Sequence, residues 1–252
     1  MTTNQLELPS PQKPRFAESF RELRKAQKGK KGVPLYTLYI NRPAGRVIAA
    51  ALRNTPFQPN HVTFTGAVIT YGALLWLAFG AGSGGGFALV GLALAVGFIL
   101  DSADGQLARL QGRSSKLGEW LDHVLDSGRI VLLHGAVFCF LLRATTVPPL
   151  WLAVLCGSFL FANSAIFFAG ALLDQLNRQP TPGQRGHNPD KGKTELRSVL
   201  TLPVDYGISC LVMATVPWTG VFIPAYATLA LCHCLFAGAF AVKSYRTLAR
   251  MG

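Results

Sequence analysis

Apolar residues in this chain are gathered into long blocks, with polar residues collected between them. From residue 60 onward six apolar runs follow one another, at 61–80, 87–108, 118–142, 149–173, 201–217 and 222–242. Helices of about that length cross the ~30 Å hydrocarbon layer of a bilayer, and a helix satisfies its own backbone where no water is present. Glycines between Gly80 and Gly86 mark the first connection, Val147-Pro148-Pro149 the third, and Pro217 with Gly220 the fifth. The runs show no internal repeat.

Upstream of the runs the pattern is amphipathic. From Arg15 to Lys31 basic residues surround Phe16, Phe20 and Leu23, which recur at helical spacing. That pattern suits a helix lying on an anionic membrane surface. A second stretch, from about Leu35 to Asn54, places Val47, Ile48, Ala51 and Leu52 on one helix face and leaves Arg46 and Arg53 off it. Residues 1–14 are polar and proline-containing, lack the apolar core of a signal peptide, and are expected to be disordered. The expected fold is an all-α membrane protein, with six transmembrane helices preceded by cytoplasmic amphipathic interfacial helices. Its parts are a disordered N-terminus (1–14), a basic amphipathic interfacial segment (15–59) and a six-span domain (60–248).

Composition supports this reading and narrows the function. Half of the 252 residues are hydrophobic and only 14% are charged, against about 25% in soluble domains. The net charge of +12 would suit a nucleic-acid binder, but the charges lie between apolar runs, so no nucleic-acid partner is expected. Eleven Lys and Arg precede Asn60, three (Arg109, Arg113, Lys116) join runs two and three, and five (Arg178, Arg185, Lys191, Lys193, Arg197) join runs four and five. With six spans these segments share one side, which the positive-inside rule assigns to the cytoplasm together with both termini. The five cysteines (Cys139, Cys156, Cys210, Cys232, Cys234) all fall in apolar runs without disulfide spacing. Cys232-His233-Cys234 is not a zinc site, because residues two apart on a helix face nearly opposite directions.

Chemistry gathers where the second run ends and the third begins. Asp101 and Asp104 share a helix face with Gly105 and Ala108, and Asp122 and Asp126 share a face of the next helix. A short connection returns the second helix antiparallel to the first, so four carboxylates converge near the membrane boundary. Each carboxylate at a membrane helix centre costs roughly 2.5–3.5 kcal/mol, less near the interface, and like charges add repulsion. A hard divalent ion, Mg²⁺ or Mn²⁺, explains their presence, and four carboxylates suffice for two ions. No His or Cys stands at ligand spacing, which disfavours zinc.

This run resembles the signature of the CDP-alcohol phosphotransferase (phosphatidyltransferase) family, D-x-x-D-G-x-x-A-R, eight residues, then G-x-x-x-D-x-x-x-D. Asp101, Asp104, Gly105, Ala108, Arg109, Gly118, Asp122 and Asp126 fill every fixed position. From average residue frequencies a chance match is on the order of 10⁻⁷. Pro59-Asn60-His61-Val62-Thr63 is similar to a second family element, P-(N/D)-x-x-(T/S), which lies near the nucleotide. Asn60 and Thr63 are expected at the N-cap and first turn of a helix, where polar groups and free N–H donors meet an anion.

The resemblance implies an integral-membrane transferase that moves a phospho-alcohol group from a CDP-alcohol to an acceptor hydroxyl and releases CMP. With a phosphatidyl donor, CDP-diacylglycerol, the reaction belongs to phospholipid biosynthesis; a soluble CDP-polyol donor is the alternative. Carried over by position, Asp101, Asp104 and Asp122 are the main metal ligands, and Asp126 is a further carboxylate and the general base. Asn60, Thr63, Gly105, Ala108, Arg109 and Gly118 line the nucleotide and its phosphates. A homodimer is also implied. Arg197, Lys191, Lys193 and Asp205 are acceptor-site candidates from their place before and at the fifth run. From another functional class, an ion-coupled transporter would also carry intramembrane aspartates, but it would show repeats and paired broken helices, which this chain lacks.

Overall fold

Every secondary-structure element among the described residues is helical. The computed structural model describes residues 15–25, 33–81, 85–178 and 204–249. The expected disorder at 1–14, and Lys191, Lys193 and Arg197, lie outside the described residues. In chain order the elements are α1 (Phe16–Lys25), a π-helical turn (Thr37–Asn41), α2 (Arg42–Leu52), α3 (Pro59–Phe79), a 3₁₀ turn (Gly85–Phe87), α4 (Ala88–Leu110), α5 (Lys116–Ala144), α6 (Pro149–Arg178), α7 (Tyr206–Met213) and α8 (Thr219–Leu248).

Five of the expected spans are long helices: α3, α4 with its leading 3₁₀ turn, α5, α6 and α8 are each long and apolar enough to cross a membrane. Between 22% and 33% of each apolar window is buried inside the protein, so most of that apolar surface is left for lipid. The chain is an all-α membrane protein. The run at 201–217 differs from expectation. Its described part is the eight-residue α7 followed by turns, about 12 Å of helix at 1.5 Å per residue. Ala214 lies against α4 where the helix stops, and Pro217 cannot continue it.

The main core lies between the long helices, around Leu74, Leu94, Val137, Leu141, Phe159 and Phe222. There α3 packs on α4 and α5, α5 on α6, α6 on α8, and α4 on α7. Small residues bring α3 and α4 close. A Cβ on Gly97 would stand 2.0 Å from Thr70 Oγ1, and one on Gly66 would stand 3.3 Å from the Gly97 carbonyl. Small-residue crossings of this kind let membrane helices meet by van der Waals contact.

The amphipathic elements pack on the protein more closely than their pattern suggests. Leu23 of α1 is buried in a second cluster with Ala49, Val62, Ala103, Leu107 and Leu110. Arg53 reaches Ser19 of α1 at 3.2 Å and forms an ion pair with Glu22. On α2 the face turned to the protein is Gly45, Arg46, Ala49 and Ala50, whereas Val47 and Ala51 face outward. The reason is close approach: a Cβ on Gly45 would lie 2.9 Å from Ser102 Oγ and 3.0 Å from Ala103 N. Arg46 is buried with its guanidinium over the Phe20 ring at 5.3 Å. Burial, and Arg24 nearby, lower its pKa from the usual guanidinium range. Thus α2 braces the back of the α4 turn that carries Asp101 and Asp104.

Candidate active site

A tight connection turns α4 back as α5. Gly112 adopts φ +64°, a conformation open to glycine without a side-chain clash, and Arg113 N bonds to the Ala108 carbonyl at 2.8 Å. Ser115 then caps α5, its hydroxyl oxygen accepting from Gly118 N at 3.0 Å. This hairpin sets the motif residues of the two helices against each other. One carboxylate oxygen from each of Asp101, Asp122 and Asp126 lies within 4.8 Å of the others.

Asp104 stands apart from that trio. It is buried, and the Thr63 hydroxyl of α3 donates to its Oδ2. The second sequence element therefore reaches the aspartates through Thr63. Its helix start differs from the expected one: the N-cap of α3 is Gln58, and its side chain forms a capping box with His61. Asn60 falls inside the first turn instead, because Pro59, lacking an N–H, takes the first helical position. Asn60 Oδ1 lies 3.8 Å from where a Cβ on Gly118 would stand, so the two sequence elements share one corner. Gly105 has open space over it, with Arg109 Nη1 the nearest group at 4.0 Å from its would-be Cβ. Ala108 is half-buried and Arg109 exposed at this mouth.

Inward from the aspartates a narrow cavity runs between α3, α4 and α5. Thr63, Thr70, Tyr71, Asp101, Asp126 and Arg129 give its polar lining, with Gly66 and Gly97 in its wall. Tyr71 donates to the Leu125 carbonyl at 2.7 Å, tying α3 to α5 beside Asp126. Arg129 forms an ion pair with Asp126 one turn away. Its guanidinium lies 4.3 Å from the Tyr206 ring centroid and 5.8 Å from that of Phe98. The sequence offered one signal for Arg129, a lone cation inside an apolar run. For Tyr206 it offered a polar group at membrane depth, an acceptor-cavity candidate beside Asp205, but not its place against Arg129, which depends on how α7 packs.

Asp205 does not open onto the aspartate cluster. It is buried, and its carboxylate accepts from Thr37 N and Thr37 Oγ1, both at 2.9 Å, and from Gly207 N at 3.1 Å. These bonds cap α7 and tie it to the π-helical turn.

The donor set fits hard divalent ions. Asp101, Asp122 and Asp126 present oxygen ligands from two rigid helices; the Arg129 guanidinium pairs with Asp126, and the His123 ring lies 3.9 Å from Asp122. One guanidinium does not balance three converging carboxylates, a deficit that a divalent ion would make up.

The family model described as CDP-alcohol phosphatidyltransferase matches residues 57–231. The chain is 34% identical over 140 residues to a bifunctional IPC transferase and DIPP synthase of Thermococcus kodakarensis, covering 52% of this chain and 29% of that protein. It is 36% identical over 84 residues to a protein of the same name from Aquifex aeolicus, covering 33% of this chain and 20% of that protein. The chain therefore covers less than a third of the length of either relative.

Proposed function

Because the chain belongs to the CDP-alcohol phosphatidyltransferase family, we propose that it transfers a substituted phosphate group from a CDP-alcohol to an acceptor hydroxyl, releasing CMP. The observation that carries this is the trio Asp101, Asp122 and Asp126, with oxygens within 4.8 Å, beside Asp104 and the Thr63 helix start. In the reaction the acceptor oxygen bonds to the phosphorus bearing the donor alcohol, and the bond from that phosphorus to CMP breaks. Asp101, Asp104 and Asp122 would hold Mg²⁺ or Mn²⁺, with Asp126 a further carboxylate beside Asp101 and Asp122. Bound metal supplies positive charge that stabilises the pyrophosphate as CMP leaves.

Asp126 takes the proton of the attacking hydroxyl. With Asp101 it lines the cavity, one turn along α5 from Asp122, where an acceptor can reach it. Gly105 and Ala108 let the nucleotide approach the α4 backbone. Arg109 meets its phosphates at the mouth, and Asn60 and Gly118 close the corner. Arg197, Lys191 and Lys193 are proposed to draw an anionic acceptor toward the site. The site faces the cytoplasm, as the placement of Lys and Arg directs.

With CDP-diacylglycerol as donor the reaction serves phospholipid biosynthesis, and the lipid-facing spans flanking the site support that choice. A second reading takes a soluble CDP-polyol as donor; the name shared by the two relatives, IPC transferase and DIPP synthase, mentions no phosphatidyl group. The deciding experiment is CMP release by the detergent-solubilised protein, with each donor class against a panel of alcohols, in Mg²⁺ and in chelator. Release that needs donor, acceptor and metal together is expected. No CMP from any pair, or turnover undiminished by chelator, sinks the proposal.

A further inference from the structure

We propose that Arg129 is a positioning residue that acts through Asp126, clamped by the Tyr206 ring so that it holds one carboxylate oxygen and leaves the other for the reaction. This rests on the reading of Asp126 given under Proposed function.

The geometry is that of a built support. Arg129 Nη2 donates to Asp126 Oδ1, so Oδ2 is the oxygen left free of that contact. The arginine side chain is only 13% exposed. Behind it the guanidinium lies over the Tyr206 ring at 4.3 Å, and Phe98 packs edge-on against Tyr206 with centroids 5.0 Å apart. Guanidinium planes stack well on aromatic faces, and the flat fork fixes a carboxylate in a way an ammonium does not. Tyr206 is itself immobilised. It opens α7 directly after Asp205, whose carboxylate is bonded to Thr37 and Gly207.

The charge alone does not explain the arginine. A fixed cation beside a divalent-metal site repels the metal through space, so Arg129 is a poor device for tightening metal binding. Its contact is directional: among the described residues its ion pair is with Asp126, and its buried Nε–H has no hydrogen-bond partner. What the contact does is restrict Asp126. A carboxylate free to rotate would swing both oxygens toward the cations bound by Asp101 and Asp122. Held by Arg129, it keeps its second oxygen toward the cavity.

The test is a double-mutant cycle on turnover, with Mn²⁺ affinity measured separately by electron paramagnetic resonance on the full-length protein. Asp126→Asn is expected to lower kcat by about 10²–10⁴, as loss of a general base does. Arg129→Gln should lower kcat about 10²-fold with little change in donor KM, and Arg129→Lys should recover part of that loss. Tyr206→Leu should lower kcat in the same way and by less. In the Asp126→Asn background both Arg129→Gln and Tyr206→Leu should have almost no further effect, since residues acting as one unit are not additive. Mn²⁺ should bind Arg129→Gln as tightly as wild type or more tightly.

Multiplying losses in the double variants, unchanged kcat in Arg129→Gln, or Mn²⁺ affinity weakened tenfold each overturn the proposal. Should Arg129→Gln fail to fold, Arg129→Lys and Tyr206→Leu complete the same cycle. If Asp126→Asn itself keeps full turnover, the general-base reading fails first, and that result is separate from the others.

Discussion

Asp122 and Asp126 are the same residue type one helical turn apart, yet the structure gives them different surroundings. Asp126 is tied to Arg129, whereas Asp122 has the partly exposed His123 ring at 3.9 Å. Asp122→Asn should therefore weaken Mn²⁺ binding by tenfold or more, and excess metal should restore part of its activity. Asp126→Asn should bind Mn²⁺ and CDP-alcohol nearly as wild type while its kcat collapses. Calorimetric titration of both variants alongside their rates checks the contrast. Equal loss of metal-dependent binding would make Asp126 a ligand and end its assignment as base. The identities and faces of these aspartates were legible from spacing alone, because a helix places i, i+3 and i+4 together. Their partners were not. Thr63 on Asp104 and Arg129 on Asp126 depend on which side chain of a neighbouring turn or helix comes nearest.

At the scale of elements, the site depends on helices that approach too closely for side chains. The contact of α4 with α7 shows this most clearly. A Cβ on Gly91 would stand 2.4 Å from Ala214 N and 2.6 Å from the Cys210 carbonyl. These are backbone atoms, which cannot rotate away. Gly91→Ala should therefore push α7, and Tyr206 with it, off α4, at the ~1–3 kcal/mol typical of overpacking. Gly135 and Gly157 have nothing within 4 Å of a would-be Cβ, and alanine there should leave stability unchanged or slightly improved. Thermal unfolding in detergent, followed by exposure of the buried cysteines, compares the three. Equal melting temperatures would show that the α4–α7 contact gives way easily. The runs of apolar residues announced the helices, but not which glycines lie at crossings and which face lipid. Gly91, Gly135 and Gly157 look alike in one dimension.

At the scale of the whole molecule, the placement of positive charge makes a claim about sidedness. Ser114, in the α4–α5 connection, and Thr146, between α5 and α6, are both exposed and lie at opposite ends of α5. If the aspartate hairpin faces the cytoplasm, Thr146→Cys should react with an impermeant maleimide in intact cells and Ser114→Cys should not. A background lacking the native cysteines removes competing signals. Labelling of Ser114→Cys from outside would reverse the orientation and put the site on the wrong side for a cytoplasmic nucleotide. Hydropathy and charge determined by themselves that the protein is a helical membrane protein, and motif spacing determined its family and its cluster of aspartates. These are local properties: helix periodicity and transfer from water to lipid depend on neighbours in sequence. Tertiary structure alone decided that α2 turns its glycine and alanine face inward and that Asp205 caps a helix instead of opening onto the aspartates. It also decided that Arg129, clamped on Tyr206, completes the support of Asp126. Such contacts join residues far apart in the chain, so shape at the crossings selects them, and no single-residue preference records that.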